Sequence, residues 1–180
     1  DLRHHMQFLA GCIENGRTEQ ALGYIRSVCS EIEAGKVTVY CENEAANLIF
    51  SAFADRAAKA GVQFTVQAGI SQKPAVSESD LCVLLSNALE NALHASQKLP
   101  PEQRRVQVMA QMLSPAMLGL VVENRYDGML KKQQGILRST KHEGTGIGLV
   151  SAETVVHKYN GNLHLETEEQ IFRVNVLLNL

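Results

Sequence analysis

Residues 77–97 read SESDLCVLLSNALENALHASQ, and the rest of the chain can be interpreted around this stretch. It opens with an S-x-x-D pattern, in which Ser77 can cap a helix and the aspartate can face the positive helix end. Leucines and alanines then recur at helical spacing, which predicts a helix with one buried stripe. Asn87 and Asn91 share a second face, with Glu90 beside them. Their oxygen atoms suit a Mg²⁺ ion, but a solvated polar face explains the pattern equally well.

A glycine-rich sequence, GTGIGL at 144–149, leads directly into an apolar segment of helical period. Glycines allow the backbone to approach a ligand closely, and the free N–H groups at a helix start attract phosphate. One such run is weak evidence, because glycine turns are common. Together with NALENA at 87–92, however, it resembles the N-box and the second glycine box of the GHKL ATPases, a superfamily that includes DNA gyrase, MutL and the sensor histidine kinases. The resemblance implies that the nucleotide is bound by Gly144, Thr145, Gly146, Ile147, Gly148 and Leu149.

The composition is typical of a soluble globular protein, with 180 residues of which 45% are hydrophobic and 20% charged. The formal net charge of -2 indicates neither nucleic acid nor an anionic membrane as a partner. No apolar run reaches the length of about 18 residues that predicts a transmembrane helix, so we expect a cytoplasmic location. The four cysteines are scattered, which favours reduced thiols over a disulfide or a zinc site.

Residues 1–35 form the first predicted domain, a helical hairpin. Apolar residues in each half step by three and four, which gives each helix a narrow seam, and Asn15-Gly16 separates the two helices. A hairpin of this length buries too little surface to be stable alone. We therefore expect a homodimer through residues 1–34, arranged as a four-helix bundle, although the hairpin could instead pack on its own second domain. The seam residues are Leu2, Met6, Leu9 and Ile13, with Ala21, Ile25, Val28 and Ile32.

Residues 36–180 form the second predicted domain, in which helical and strand-like segments are mixed. A helix begins near Asn43, and the segments with a strand-like pattern are 36–40, 62–67, 106–112, 118–122, 163–167 and 172–178. This order is an α+β pattern, with the helices on one face of a mixed, mostly antiparallel sheet. The order resembles the Bergerat fold of the GHKL superfamily, an α/β sandwich, over the whole second domain.

The resemblance implies that the protein binds ATP and Mg²⁺. Asn91 would coordinate a Mg²⁺ ion that bridges the phosphates, and Asn87 would contact phosphate or a metal-bound water. Gyrase-like ATPases have a glutamate in place of Asn87, where it activates the hydrolytic water. An asparagine has no useful basicity, so the resemblance points towards kinases, which transfer the phosphoryl group to a side chain. Glu90 would have either a proton-transfer role or only a solvent contact.

The first glycine box of the superfamily, D-x-G-x-G, provides an aspartate that accepts a hydrogen bond from the adenine amino group. Asn124 takes that place here, and its amide oxygen can accept the same bond without the assistance of charge. With an asparagine at this place, the sequence resembles the quorum-sensing and peptide-sensing histidine kinases. These kinases have a short dimerisation hairpin. Residues 125–143 would be an ATP lid without apolar anchors, mobile when no nucleotide is bound, with Lys141 as a phosphate contact.

The first six residues, DLRHHM, resemble the segment H-D-x-R-N-H-L around the phospho-acceptor histidine of that subgroup. An acceptor histidine needs a carboxylate that takes the imidazole proton while the other ring nitrogen attacks the γ-phosphate. In one register, His4 or His5 is the acceptor. In the other, Asp1 is the carboxylate and the acceptor is the residue just before it, which predicts that residues 1–180 bind ATP without phosphorylating themselves. The chemistry favours the second register, because His4 is followed by a histidine.

The function implied by the resemblance is that of an ATP-dependent protein-histidine kinase core in a bacterial two-component system. The phosphoryl group would pass to a histidine on the dimerisation helix and then to the receiver domain of a response regulator. In the full-length protein, an upstream sensor domain in the bacterial cell membrane is implied. Two alternatives are a nucleotide-binding pseudokinase scaffold, which weak adenine recognition at Asn124 would fit, and a GHKL serine kinase of the anti-sigma type, against which the clustered histidines argue.

Overall fold

The computed structural model describes residues 2–14, 16–33, 38–128, 131–133, 136–138 and 147–180. The chain divides into two compact units, Asp1–Thr38 and Val39–Leu180. None of the helices in the described ranges is both long and apolar enough to cross a membrane. The roles predicted for residues 1–35 and 36–180 do not follow from this division, and they stay predictions.

The described residues of the first unit form two helices joined by a tight turn. Helix α1 spans Leu2–Glu14 and helix α2 spans Thr18–Glu33. Between them lies Gly16, whose φ is 67° and whose N–H donates a hydrogen bond to the carbonyl of Ile13. Glycine adopts this left-handed conformation without steric cost, which explains why the chain turns at this point.

Two small apolar residues are buried in the first unit, whereas several larger ones stay exposed. Among the residues whose side chains are described, Cys12 is 2% exposed and Ala21 is 3% exposed. Three of the predicted seam residues remain open to solvent, because Met6, Ile13 and Ile25 are 53%, 65% and 41% exposed. Large apolar side chains in this position leave a surface that another chain could cover.

The described residues of the second unit form three α-helices and seven strands. The helices are α3 (Glu44–Lys59), α4 (Glu78–Gln97) and α5 (Ile147–Lys158), with a 3₁₀ turn at Pro101–Gln103. The strands are β1 (Gln63–Gly69), β2 (Arg105–Ser114), β3 (Met117–Arg125), β4 (Lys131–Gln133), β5 (Ile136–Arg138), β6 (Asn162–Glu168) and β7 (Ile171–Asn179).

Five strands form one sheet in the order β1-β2-β3-β7-β6. β1 pairs with β2 in parallel, and every other neighbouring pair in this sheet is antiparallel. Near the end of β3, the middle strand of the sheet, Asn124 lies opposite Val106 of β2 and Phe172 of β7. β4 and β5 pair with each other as a separate antiparallel hairpin.

The three helices cover one face of the five-stranded sheet. α4 packs between α3 and α5 and lies against β2 and β3. Alternate residues of the strands are buried beneath the helices, because successive side chains of a strand point to opposite faces. The predicted α+β fold, with helices on one face of a mixed and mostly antiparallel sheet, is confirmed. The buried strand residues include Val106, Val108, Ala110, Leu118, Leu120, Val122, Val174, Val176 and Leu178.

The strand predicted at residues 36–40 is wrong for the part that the structure describes. Residues 38–40 have no regular structure, and the side chain of Val39 is exposed. The N–H of Tyr40 donates to Oδ1 of Asn47, at 2.7 Å, instead of joining a sheet. The preference of these residues for strands is therefore overridden by the start of α3, where the side chain of Asn43 caps the helix.

Candidate functional site

Helix α4 is built as its sequence pattern predicts. At its N-terminus, Oγ of Ser77 accepts a hydrogen bond from the N–H of Asp80, at 3.2 Å. This bond satisfies one of the backbone donors that a helix start leaves without a partner. The predicted apolar stripe is confirmed, since it is buried throughout in Leu81, Leu84, Leu85, Ala88, Leu89 and Ala92. The stripe fixes which side of α4 faces the core.

The two asparagines of α4 lie away from the buried stripe. Nδ2 of Asn87 donates to the carbonyl of Val83, at 2.8 Å, one turn earlier in the helix. This bond orders the amide and uses its donor side, whereas the amide oxygen is an acceptor with two lone pairs. Asn91, one turn later, is exposed. α4 therefore presents two amides on its polar side, as the sequence analysis expected.

Glu90 contacts the neighbouring helix. Its Oε2 atom lies 2.8 Å from Nη1 of Arg56 in α3, and the guanidinium of Arg56 lies over the ring of Phe53, 4.7 Å from the ring centre. Both charged side chains are about half exposed, so this ion pair contributes little to stability. The contact gives Glu90 a role in joining α3 to α4, and the proton-transfer role stays a prediction.

Asn124 is buried at the end of β3, on the face that the helices cover. Its exposed fraction is 3%, and its Nδ2 atom donates to the carbonyl of Arg125, at 2.9 Å. A polar side chain is rarely buried in this way without a specific partner or task. With an N–H of the amide bonded to the backbone, the amide oxygen remains as a hydrogen-bond acceptor.

In its described part, the segment predicted to be a lid, residues 125–143, contains regular structure and a buried side chain that the sequence did not predict. Arg125 is the last residue of β3, and the short hairpin of β4 and β5 lies within the segment. Tyr126 is 7% exposed and packs edge-on against the ring of Phe172, with the ring centres 6.2 Å apart. The N–H of Tyr126 also donates to the carbonyl of Gln170. The expectation that this segment has no apolar anchor is therefore wrong at its start.

Several predicted site residues lie partly or wholly outside the described residues. α5 begins at Ile147, so the last residues of the glycine box lie in the first turn of a helix, where backbone N–H groups have no helical partner. Only the backbone is described for His4, His5, Ile147, Gly148 and Leu149, and nothing is described for Asp1, Lys141, Gly144, Thr145 and Gly146.

The donor set suits a Mg²⁺ ion that is shared with a nucleotide. In the described part of the chain, no group of three or more His, Cys, Asp or Glu side chains could hold a metal ion. Mg²⁺ keeps several waters and is commonly bound by a few protein oxygens together with the phosphates of a substrate. The amide oxygen of Asn91 fits that arrangement, because an exposed neutral ligand leaves most of the coordination sphere to phosphate and water.

A cluster that the sequence analysis missed joins the N-terminus of α4 to the C-terminus of α5. Oδ2 of Asp80 accepts hydrogen bonds from Oγ of Ser77 at 2.6 Å, Nζ of Lys158 at 2.6 Å and the hydroxyl of Tyr159 at 2.7 Å. The Tyr159 hydroxyl in turn accepts from the N–H of Ser77. We call these four residues the Asp80 cluster. The bonds from Lys158, Ser77 and Tyr159 hold the pKa of Asp80 down to about 2.

The Asp80 cluster predicts an acid-dependent loss of stability. The pKa of Asp80 in the folded protein lies below its ordinary value of 3.8, so its contribution is present above about pH 4 and lost as the pH falls towards 2. At pH 7, Asp80→Asn should lower the free energy of unfolding by about 1 kcal/mol, after allowance for solvent screening. Urea titrations of both proteins between pH 7 and pH 2.5 should show the difference shrink with acid. A difference that is constant with pH would contradict this assignment.

On the opposite face of the sheet, three charged side chains lie side by side across three strands. Arg173 of β7 donates to Oε2 of Glu123 in β3, from Nε at 3.0 Å and from Nη2 at 2.6 Å, and to Oε2 of Glu166 in β6, at 3.1 Å. The two carboxylates, Glu123 above all, raise the pKa of Arg173. We call this set the charge ladder. Because the charge ladder lies on the uncovered face, the sheet lies between this ladder and the helices α4 and α5.

A small cavity lies beside the charge ladder, at the ends of β2, β3 and β7. Its volume is about 80 Å³, well below the roughly 300–1,000 Å³ of typical ligand pockets. It is too small for a nucleotide, and the candidate site remains on the helical face. The cavity is lined by Arg105, Gln107, Glu123, Asn124, Arg125 and Ile171.

The sequence and the fold of the second unit can be assigned to a known family. The family model of the GHKL domain matches residues 76–179, which is more than half of the chain. This chain therefore belongs to the GHKL domain family. No curated protein matches its sequence.

Solved structures of histidine kinases share the fold of the second unit. The catalytic domain of histidine kinase ThkA aligns with a TM-score of 0.58 at 15% identity, covering 76% of this chain and 90% of that domain. A mycobacterial sensor histidine kinase, MprB, aligns with a TM-score of 0.53 at 21% identity, covering 74% of this chain and 95% of its own. Full-length ShkA in complex with AMPPNP aligns with a TM-score of 0.53 at 16% identity, covering 74% of this chain and 29% of ShkA. The fold is thus that of histidine kinase catalytic domains.

Proposed function

We propose that this chain is the catalytic core of a protein histidine kinase, which binds Mg·ATP and transfers the γ-phosphoryl group to a histidine. The observation that carries the proposal is the arrangement of α4 and α5. α4 presents Asn87 and Asn91 on its polar side, and the helix packed beside it begins inside the glycine box. Membership of the GHKL family and a fold like that of histidine kinase catalytic domains support the same assignment.

Each part of the nucleotide would have its own contact. The oxygen of Asn124 would accept a hydrogen bond from the adenine amino group, and its burial excludes the water that would otherwise compete. The N–H groups at the start of α5 would hold phosphate oxygens, with Asn87 adding a polar contact. Asn91 would hold Mg²⁺, which supplies neutralisation of phosphate charge when it is bound. ShkA in complex with AMPPNP, an ATP analogue, supports nucleotide binding by this fold.

The residues of α4 favour phosphoryl transfer to a protein side chain over hydrolysis. A hydrolytic ATPase needs a base that activates water, and Asn87 has no basicity. The carboxylate of Glu90 is paired with Arg56, and this contact holds it against α3. In the proposed reaction, a ring nitrogen of the acceptor histidine forms a bond to the γ-phosphorus as the bond to ADP breaks, and a carboxylate takes the other ring proton. In the favoured register, Asp1 is the carboxylate and the acceptor is the residue just before it. In the other register, His4 or His5 is the acceptor.

The two-domain arrangement belongs to the same proposal. Residues 1–35 would be the dimerisation and phosphotransfer domain, and residues 36–180 the ATP-binding domain. A homodimer through residues 1–34 is supported by the exposed apolar side chains of α1 and α2. A response-regulator receiver domain would take the phosphoryl group from the histidine, and a membrane sensor domain would lie upstream in the full-length protein.

Replacing two of the exposed seam residues should prevent self-association. Ile13→Glu together with Ile25→Glu adds charge to two side chains that are more than 40% exposed in the single chain, so the folded monomer should tolerate both. In a dimer, the same charges would be buried without partners. Sedimentation at high protein concentration should give a dimer for the wild type and a monomer for the double variant. Gln20→Glu, an exposed position off the seam, is the control. A wild-type monomer would contradict the proposed dimer.

Two measurements test the proposed function. Calorimetry with ATP, in the presence of Mg²⁺ and of EDTA, should show binding that Mg²⁺ strengthens. Incubation with Mg·ATP should give acid-labile phosphate in a chain that includes its natural preceding residues, on the residue just before Asp1, and none in residues 1–180. Phosphate that mass spectrometry maps to His4 or His5 would instead support the other register. ATP binding without any phosphohistidine would favour the pseudokinase scaffold, and acid-stable phosphate on a partner serine would favour the anti-sigma type. The absence of ATP binding would overturn the proposal.

A further inference from the structure

The Asp80 cluster lies at the opposite end of α4 and α5 from the candidate phosphate site. It joins the first turn of α4 to Lys158 and Tyr159 at the end of α5. The two helices pack against each other, and the start of α4 meets the end of α5. From these two observations we infer that they run antiparallel. A contact at one end of such a pair controls how far one helix can slide along the other.

In both helices, the distance along the axis from the Asp80 cluster to the position proposed to bind Mg·ATP is the same. From Asp80 to Asn91 is eleven residues of α4, and from Lys158 back to Ile147 is eleven residues of α5. At 1.5 Å for each residue, both lengths are about 16 Å. For antiparallel helices joined at Asp80 and Lys158, these equal lengths lead us to expect Asn91 and the first residue of α5 at about the same level. Under the proposed function, these positions carry the metal ligand and the phosphate-binding N–H groups.

The apolar contact between the helices specifies this alignment only weakly. Among the residues of α5 whose side chains are described, the buried ones are the small Ala152, Val155 and Val156. Small, similar side chains that repeat along a helix fit a neighbour in registers one turn, or about 5.4 Å, apart. By contrast, the carboxylate of Asp80 can bond both the ammonium group of Lys158 and the hydroxyl of Tyr159 in only one register. A shift of one helix by a turn would leave these groups without partners.

The end of α5 is also fixed to the sheet. The N–H of Asn179, in β7, donates to the carbonyl of Tyr159 at 3.1 Å. Nδ2 of Asn179 donates to the carbonyl of Asn160 at 2.6 Å. Since the end of α5 is held by β7, the Asp80 cluster anchors α4 to a point that does not move with α5 alone.

We infer that the Asp80 cluster is a positioning device that sets the axial register of α4 against α5 and so aligns Asn91 with the start of α5. This inference rests on the proposed function. Asp80, Lys158 and Tyr159 would touch neither the nucleotide nor the metal, and they act through the two helices. Loss of the cluster should therefore affect the Mg²⁺-dependent part of ATP binding, for which Asn91 and α5 must be aligned, more than the contacts of the nucleotide base.

The test compares ATP affinity with and without Mg²⁺ in three variants of the whole chain. Asp80→Ala removes the acceptor of all three side-chain bonds, and Tyr159→Phe removes one hydroxyl. Arg173→Ala is the control. It removes the ion pairs of the charge ladder on the opposite face of the sheet and leaves the contacts of α4 and α5 unchanged. The readout is the ratio of the dissociation constant in EDTA to that in Mg²⁺, measured by calorimetry at a temperature where every variant is folded.

Asp80→Ala should reduce this ratio by about tenfold or more. The scale is that of active sites, in which a misplacement of about 1 Å can reduce the reaction rate about a hundredfold. Tyr159→Phe should reduce it less, and Arg173→Ala should leave it at the wild-type value. If Asp80→Ala does not fold, a reduced ratio in Tyr159→Phe supports the inference and an unchanged one overturns it. A wild-type ratio in folded Asp80→Ala would overturn the inference while leaving the proposed function intact. A wild type that does not bind ATP would overturn both.

Discussion

Replacing Asn91 with alanine should remove the Mg²⁺-dependent part of ATP binding, with a loss of affinity of about a hundredfold or more. In the proposed site, Asn91 is the protein's own oxygen ligand to the metal, and alanine offers no replacement. Asn91 is exposed on α4, so its removal leaves neither a cavity nor a buried polar group. Alanine is also the best helix former, and the free energy of unfolding should change by less than about 0.5 kcal/mol.

Calorimetry with ATP and Mg²⁺, together with a urea titration of each protein, measures both effects. Gln97→Ala, an exposed position at the end of the same helix, is the matched control and should bind Mg·ATP like the wild type. Asn91→Asp distinguishes a metal ligand from a general polar contact, because a carboxylate can still coordinate Mg²⁺ and should restore part of the affinity. Unchanged Mg·ATP affinity in folded Asn91→Ala would exclude Asn91 as the metal ligand.

The features predicted correctly from the sequence depend on residues close together in the chain. The cap at Ser77 and the buried stripe of α4 follow from capping chemistry and helical period, both of which act within a few residues. The strand predicted at 36–40 failed because strand formation needs a neighbouring strand. Of the β-branched residues that the structure describes there, Thr38 and Val39 are exposed, and Asn47 satisfies the N–H of Tyr40.

Much of the site depends on contacts between distant residues, which a single sequence does not reveal. Asp80 is 78 residues from Lys158, and the sequence suggested only that Asp80 favours a helix start. Glu90 and Arg56 belong to different helices, and the packing of Tyr126 on Phe172 joins the start of the predicted lid to β7. Periodicity identifies which face of an element is buried, but it does not identify the element that covers it.

Gly161→Ala is expected to be the most destabilising single change in this part of the fold. A Cβ atom at this position would lie 2.2 Å from the carbonyl oxygen of Leu177, and 3.1 Å from both the carbonyl oxygen and Cγ1 of Val156. Two of these three atoms belong to the backbone of β7 and α5, so rotation of a side chain cannot relieve the clash. The N–H of Gly161 also donates to the carbonyl of Val156, which fixes the turn where α5 ends.

The cost of Gly161→Ala should be about 3 kcal/mol or more, at the upper end of overpacking effects. For a chain of this size, the thermal midpoint should fall by about 6–12 °C. Gly69→Ala is the control, because its Cβ would lie 3.8 Å from Cβ of Gln111, an ordinary contact, and its midpoint should stay near that of the wild type. Thermal unfolding followed by circular dichroism would compare the three proteins. Equal midpoints for the two variants would show that α5 can separate from β7 at little cost. The sheet would then be a weak support for α5, and the register of α5 against α4 would depend on the Asp80 cluster alone.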